Sequence, residues 1–314
     1  MSVDSTIATT VDEVAPATKS AGVARRLLRD PGAVIGAVIT TLFILLAIFA
    51  PWLSGLTGND PYTYHIDLLN GSGVPLGHLG GMSASHWLGV EPLTGRDMFS
   101  IVAYGARISL VIGVGATCLS LLVGTILGIV AGYWGGIVDT LLSRFTDLML
   151  AFPALIFMIA LSALVPTTFP KYVFMILIIG LFSWPAMARV ARGQTMSLRN
   201  RSFVQAARAI GSRPLTILAS QILPNLVPTI IVIGTMGIPG AIGSEAGLSF
   251  LGIGIAPPTP SWGRSIATAV NWIRVDPWYL LAPGLALFLV TLALNLFGDG
   301  LRDVLDPKLA RRSS

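Results

Sequence analysis

Residues 33–53 read AVIGAVITTLFILLAIFAPWL, 21 residues without Asp, Glu, Lys, Arg or His. A helix needs about 20 apolar residues to cross the hydrocarbon of a bilayer. Backbone groups in lipid have no water to bond to, so an apolar run of this length is expected to be helical. Working outward, further uncharged runs follow at 108–138, 148–170, 172–188, 214–244 and 277–298. The fourth is at the short limit, and the second and fifth are long enough that part of each is expected to be loop. The expectation is an all-α polytopic membrane protein with six transmembrane helices.

Composition agrees. The chain has 314 residues, of which 54% are hydrophobic and 11% charged, against about 25% charged in an ordinary soluble domain. Mean hydropathy is +0.78. A disordered chain, a nucleic-acid module and most soluble enzymes are excluded on these grounds. The single cysteine, Cys118, excludes an intrachain disulfide and a cysteine-based zinc site.

The net charge of +5 has a topological meaning. Lys19, Arg25, Arg26 and Arg29 precede the first run, Arg144 precedes the third, and Arg189, Arg192, Arg199, Arg201, Arg208 and Arg213 lie between the fourth and fifth. Arg302, Lys308, Arg311 and Arg312 follow the sixth. Only Arg96, Arg107, Lys171, Arg264 and Arg274 fall on the other side. The positive-inside rule then places both termini in the cytoplasm of a multi-pass cell-membrane protein. The first run is too long for a signal peptide, and residues 1–22 read as a disordered tail.

The segment 54–105, rich in Gly, Pro, Asn and His, is too long for a plain connection and is expected to build a small external structure. The segment 244–276 holds Pro257, Pro258, Pro260 and Trp262 and is expected to be rigid and partly re-entrant. Trp52, Tyr133, Trp134 and Trp278 fit an interfacial belt. Gly124, Gly128 and Gly132 form a smooth strip at four-residue spacing. Two readings stand: packing within the chain, or packing against a partner membrane chain. Pro153, Pro224, Pro228 and Pro239 are expected to kink or bound helices.

Several chemistries lack their residues. Lys19, Lys171 and Lys308 follow Thr18, Pro170 and Pro307, so there is no P-loop. The uncharged spans argue against a proton-coupled carrier. His65, His78 and His86 have no zinc-motif spacing and read as solvated loop histidines. Arg144 with Asp147, and Asp299 with Arg302, are spaced as helix-end ion pairs. Glu245 is placed to anchor the outer loop or, alternatively, to meet the amino group of a ligand.

Residues 200–228 read NRSFVQAARAIGSRPLTILASQILPNLVP. As a helix, Phe203, Ala207 and Ile210 share one face, with Arg201, Gln205 and Arg208 opposite. Gly211 ends it and Pro214 starts the next. A short amphipathic helix outside the bilayer either lies in the interface or docks into a partner groove.

Gln205-Ala206-Ala207, Gly211 and Ile222-Leu223-Pro224-Asn225 resemble the EAA loop of ABC importer permeases. His86-Trp87-Leu88-Gly89, Gly95-Arg96-Asp97 and Tyr104 to Leu110 resemble the start of the permease core in the dipeptide, oligopeptide and nickel importers. Glu245 to Gly252, Pro258 to Gly263, and Gly298 to Asp303 with Leu305-Asp306-Pro307 resemble its later parts. Gln205 departs from the family's usual Glu.

The resemblance implies type I importer architecture and the C-type permease subunit, pairing with a B-type permease. Its other implied partners are one or two ATP-binding cassette subunits, an extracytoplasmic substrate-binding protein and a peptide substrate. It implies no cofactor on this chain, with ATP and Mg on the ATPase subunits, so the chain is not itself an enzyme. It implies ATPase coupling through Arg201, Phe203, Gln205, Ala206, Ala207, Arg208, Ile210 and Gly211. The organisation expected is a tail at 1–30, a first helix with its external loop at 31–105, a five-helix core at 106–300 with the coupling loop at 194–221, and a tail at 301–314. Nickel or another small solute, a secondary carrier and a structural scaffold are the competing readings.

Overall fold

The computed structural model describes residues 20–166 and 168–305. Most of the expected N-terminal tail, and the end of the C-terminal one, lie outside these residues, as do Lys19, Lys308, Arg311 and Arg312. A short helix α1 (Ser20–Leu27) comes first, so residues 20–22 are helical rather than irregular. Asp30 then caps α2 (Pro31–Thr57), accepting from the amides of Gly32 and Ala33. The longest unbroken helix is α3 (Met98–Trp134), capped by Asp97. It is followed by α4 (Gly136–Ala151), α5 (Ala154–Ser162), α6 (Lys171–Leu198) and α7 (Ser202–Ala209). The chain continues through α8 (Pro214–Ile217), a π turn at Leu218–Ile222, and α9 (Leu223–Phe250), then α10 (Trp262–Ala269) and α11 (Pro277–Leu305). Five helical stretches among the described residues are long and apolar enough to cross a membrane, or six if the bent pair α4–α5 is one span.

Three expectations change. The third span begins at Gly136, not Leu148, and is broken at Phe152–Pro153 with an 81° bend between α4 and α5. Two of its three charges pair across to α6: Arg192 Nη2 donates to Asp139 Oδ2 at 2.7 Å, and Arg189 Nη2 to Asp147 at 3.1 Å. Asp147 therefore pairs across to α6, not with Arg144, and among the described residues Asp299 and Arg302 form no ion pair. Second, the fifth run holds no loop: residues 214–250 are helical throughout, with a π turn at Leu218–Ile222 just ahead of Pro224. The second run is likewise helical from its start and ends at Trp134, with Gly135 breaking it. Third, His86 is buried, not solvated; His65 is half-buried and His78 exposed.

The core centres on α3. Its glycine strip faces α6, which settles that packing as internal. A methyl group on Gly124, Gly128 or Gly132 would lie 2.6, 2.5 or 2.7 Å from the carbonyl oxygens of Trp184, Ala188 and Arg192. Such close approach between backbones is what small residues permit in lipid, where no hydrophobic force pulls helices together. A second cluster joins α2, α3, α10 and α11 around Trp262 and Tyr279. Leu42, Ile48 and Trp52 of α2 point outward, as does Trp134, which fits a lipid-facing surface. Tyr133 does not join that belt; it is buried at the end of α3.

Candidate functional site

The coupling segment forms a helical hairpin at one end of the bundle. Here α6 stops at Leu198, Arg201 takes an extended backbone, and α7 runs from Ser202 to Ala209. Gly211 sits at φ +82°, a left-handed conformation that glycine adopts without a Cβ penalty. Its amide donates to the Arg208 carbonyl at 3.0 Å, and the Ser212 amide donates to the Ala207 carbonyl at 3.0 Å. These two bonds are a Schellman closure, which satisfies the last carbonyls of α7. Pro214 then opens α8 at a position where no amide is needed.

One residue that the periodicity did not single out anchors this helix. Val204 is 0% exposed and packs with Ile129, Tyr133, Ile217, Ile222 and Leu226, with Ala207 resting on the same cluster. The expected apolar face therefore divides. Ala207 turns inward, while Phe203 at 40% and Ile210 at 82% exposure point away. Ala206 shares that outer side. Gln205 is exposed and its Nε2 donates to the Asn200 carbonyl at 3.3 Å. Arg201 is exposed, and the Arg208 guanidinium lies 4.7 Å from the centre of the Tyr133 ring. No Asp or Glu occurs between Asp147 and Glu245, so the cations of this segment have no local counter-charge. An apolar patch ringed by uncompensated arginines is suited to a partner groove with acidic edges.

The opposite end is built differently. Asp97 caps α3 at the Ser100 amide and accepts from His86 Nδ1 at 2.9 Å. Arg96 donates through Nε to Glu91 at 2.7 Å and through Nη1 to the Pro258 carbonyl at 3.2 Å, tying the first loop to the second. Glu91 also accepts from Tyr279 of α11 and from Thr94. Glu245 is 0% exposed and accepts from Ser109, Ser249 and Ser261, at 3.0, 2.7 and 2.8 Å. In this structure both carboxylate oxygens are buried and occupied by serine donors, as the anchoring reading expects. Trp262 Nε1 donates to the Val102 carbonyl at 2.9 Å, which seats α10. Among the described residues no three metal-ligating side chains come together. Burial raises the Asp276 carboxyl above its ordinary range.

Toward the α7 end, a recess of about 430 Å³ lies among α6, α9 and α11, lined by Gln194, Thr229, Met236 and Arg302. Gln194 Nε2 donates to Thr229 at 2.8 Å on its wall.

The fold is thus a bundle of apolar helices long enough to span a membrane, with an exposed basic hairpin at one end. Residues 124–311 match the family described as the binding-protein-dependent transport system inner membrane component. Residues 20–71 match the N-terminal transmembrane domain of oligopeptide transport permease C. The chain belongs to this family of ABC importer permeases. It is 39% identical over 285 residues to the dipeptide transport system permease protein DppC of Alkalihalophilus pseudofirmus, covering 91% of this chain and 88% of that protein. It is 42% identical to the glutathione transport system permease protein GsiD of Escherichia coli O157:H7, covering 91% and 89%. The MetNI methionine ABC transporter, solved in inward-facing conformations, aligns with a TM-score of 0.53 at 18% identity, over 66% of this chain and 97% of that one. That likeness concerns the fold alone.

Proposed function

We propose that this chain is the C-type half of the membrane path of an ATP-driven importer of dipeptides or other short peptides. It pairs with a B-type permease, receives substrate from an extracytoplasmic binding protein, and docks on ATP-binding cassette subunits that carry ATP and Mg. The observation that carries the reading is α7: a capped helix held by Val204 that presents Phe203, Ala206 and Ile210 beside the exposed Arg201, Arg208 and Arg213, which form no ion pair among the described residues. Gln205 keeps the size of the family's Glu without its charge, so docking here rests on apolar contact and on the arginines. The excess of cations at the α7 end supports a cytoplasmic placement of that end and of both termini. Motion of the ATPase subunits would then shift the equilibrium between two orientations of the bundle. The peptide assignment is supported by the dipeptide and glutathione systems of the relatives.

The test is reconstitution with the co-purifying subunits, scoring ATP-dependent uptake of labelled dipeptides and glutathione against nickel. Peptide uptake is expected; ATP-driven nickel uptake without peptide uptake overturns the substrate. Gly211→Val forces a β-branched residue into a left-handed conformation and is expected to abolish uptake with membrane insertion intact. Normal uptake by that variant overturns the role of α7.

A further inference from the structure

We propose that the corner between α3 and α4, residues 133–136, is where displacement of α7 enters the membrane-spanning helices, with Tyr133 and Arg199 as its positioning residues. The inference rests on the reading of α7 as the ATPase-coupling helix. By chain connectivity alone, α7 pulls only on α6 and α8, through the short links at 199–201 and 210–213. The structure adds a contact to an element far away in sequence.

Arg208 lies over the Tyr133 ring at 4.7 Å. Val204 is buried in the same cluster as Tyr133 and Ile129. Arg199, which ends α6, donates through Nη1 to the carbonyls of Gly132 at 3.0 Å and Tyr133 at 3.5 Å. Those carbonyls belong to the last turn of α3, where the helix itself supplies no donors. The guanidinium thus closes the end of α3 and links it to the root of α7. A planar, charged donor shared by two carbonyls resists bending more than a flexible ammonium would.

What lies beyond the corner is built to move. Gly135 alone separates α3 from α4. Along α4 only Thr146 is buried, and the helix meets α6 through the stack of Phe145 on Trp184, at 5.7 Å, and the pairs Asp139–Arg192 and Asp147–Arg189. Its far end turns through 81° into α5. Within this chain α4 has few buried apolar contacts, the mark of a locally less stable element, so this chain's own packing offers little opposition to a push at its first turn. The α3 body, locked to α6 by the glycine strip, does not.

The experiment uses the whole reconstituted transporter and reads ATP hydrolysed per labelled peptide imported. Tyr133→Leu keeps an apolar side chain and removes the ring under Arg208; Tyr133→Phe keeps the ring; Arg199→Gln removes the shared donor. Tyr133→Leu and Arg199→Gln are expected to raise the ratio about fivefold or more, the lower end of measured coupling free energies, while Tyr133→Phe stays near wild type. A purely structural role would lower both activities together and leave the ratio alone. The proposal is overturned if both disruptive variants keep the wild-type ratio, or if they shed the ATPase subunits on purification. Ile210→Asp in the same preparation reports on the underlying reading. If it keeps its ATPase subunits and its uptake, α7 is not the docking helix. If it loses them while the corner variants keep the wild-type ratio, only the corner is wrong.

Discussion

At the end of the bundle that carries residues 58–97 and α10, Glu91, Asp97 and Glu245 are buried, and each has its donors in place. At the α7 end, Arg201, Arg208 and Arg213 are exposed with no carboxylate nearby in sequence, and Ile210 stands 82% exposed. A buried, satisfied network fixes one geometry, because any rearrangement strands a polar group in a low dielectric. An exposed helix with a single deep anchor leaves its partner contacts unmade. The contrast teaches that the buried carboxylates of the loop end are satisfied within the chain, whereas Arg201, Arg208 and Arg213 at the α7 end have no carboxylate paired with them among the described residues.

The widest break in this comparison comes from Glu91→Ala. Arg96 would remain largely buried without its carboxylate, and Tyr279 would lose its acceptor. Removing one partner of a buried pair costs about 3–5 kcal/mol. The expected outcome is a much lower unfolding midpoint of the purified chain; an unchanged midpoint would show that the cap is not a fixed structure.

Glu245→Ala comes next. Ser109 and Ser249 lie on helices, where a hydroxyl can turn back to the carbonyl of residue i−4. Ser261 precedes α10 and has no such fallback. One stranded hydroxyl costs about 1–3 kcal/mol. Glu245→Gln, which keeps an acceptor oxygen, is expected to fall between wild type and Ala. Thermal unfolding of the three proteins in one detergent tests that order, and Gln below Ala would break it.

How far these ends could be read from sequence follows from the range of the interactions. Apolar runs are local, so the first, fourth and sixth spans were legible as runs. The third was not, because Asp139 and Asp147 sit on its helix and their partners Arg192 and Arg189 lie 53 and 42 residues on. Helical spacing exposed the strip Gly124, Gly128 and Gly132, but spacing names a face and not what meets it. Within α7, periodicity drew attention to Phe203, Ala207 and Ile210, whereas the anchor is Val204, whose burial depends on Tyr133 and Leu226 from other helices. His86 read as solvated for the same reason: Asp97 reaches it only after the loop has folded back.

At the α7 end the matching break should be small. The pair Arg189–Asp147 is more than half exposed on both sides. Exposed pairs contribute about 0–1 kcal/mol, so Arg189→Gln is expected to leave the unfolding midpoint close to wild type. A loss as large as that of Glu91→Ala would erase the distinction between the two ends.

The smallest effect sharpens the comparison inside the loop end itself, where Asp60 is an exposed carboxylate among buried ones. The Tyr62 amide, donating to Oδ1 at 2.7 Å, is the leading reason its pKa falls below the ordinary value; Thr63 adds a second amide and its hydroxyl. Burial acts in the opposite direction and is outweighed. Because the folded value is depressed, the contribution is fully present above the unfolded carboxylate value of about 3.9 and is lost as pH falls through the folded one. The difference in unfolding midpoint between wild type and Asp60→Asn is therefore expected to be constant from neutral pH down to mildly acidic pH, and to shrink below it. Exposure keeps the effect small, since water competes for each of these bonds. A difference that grew on acidification would mean that the protonated form is the one the turn prefers, and the Tyr62 and Thr63 amides would not be what holds it.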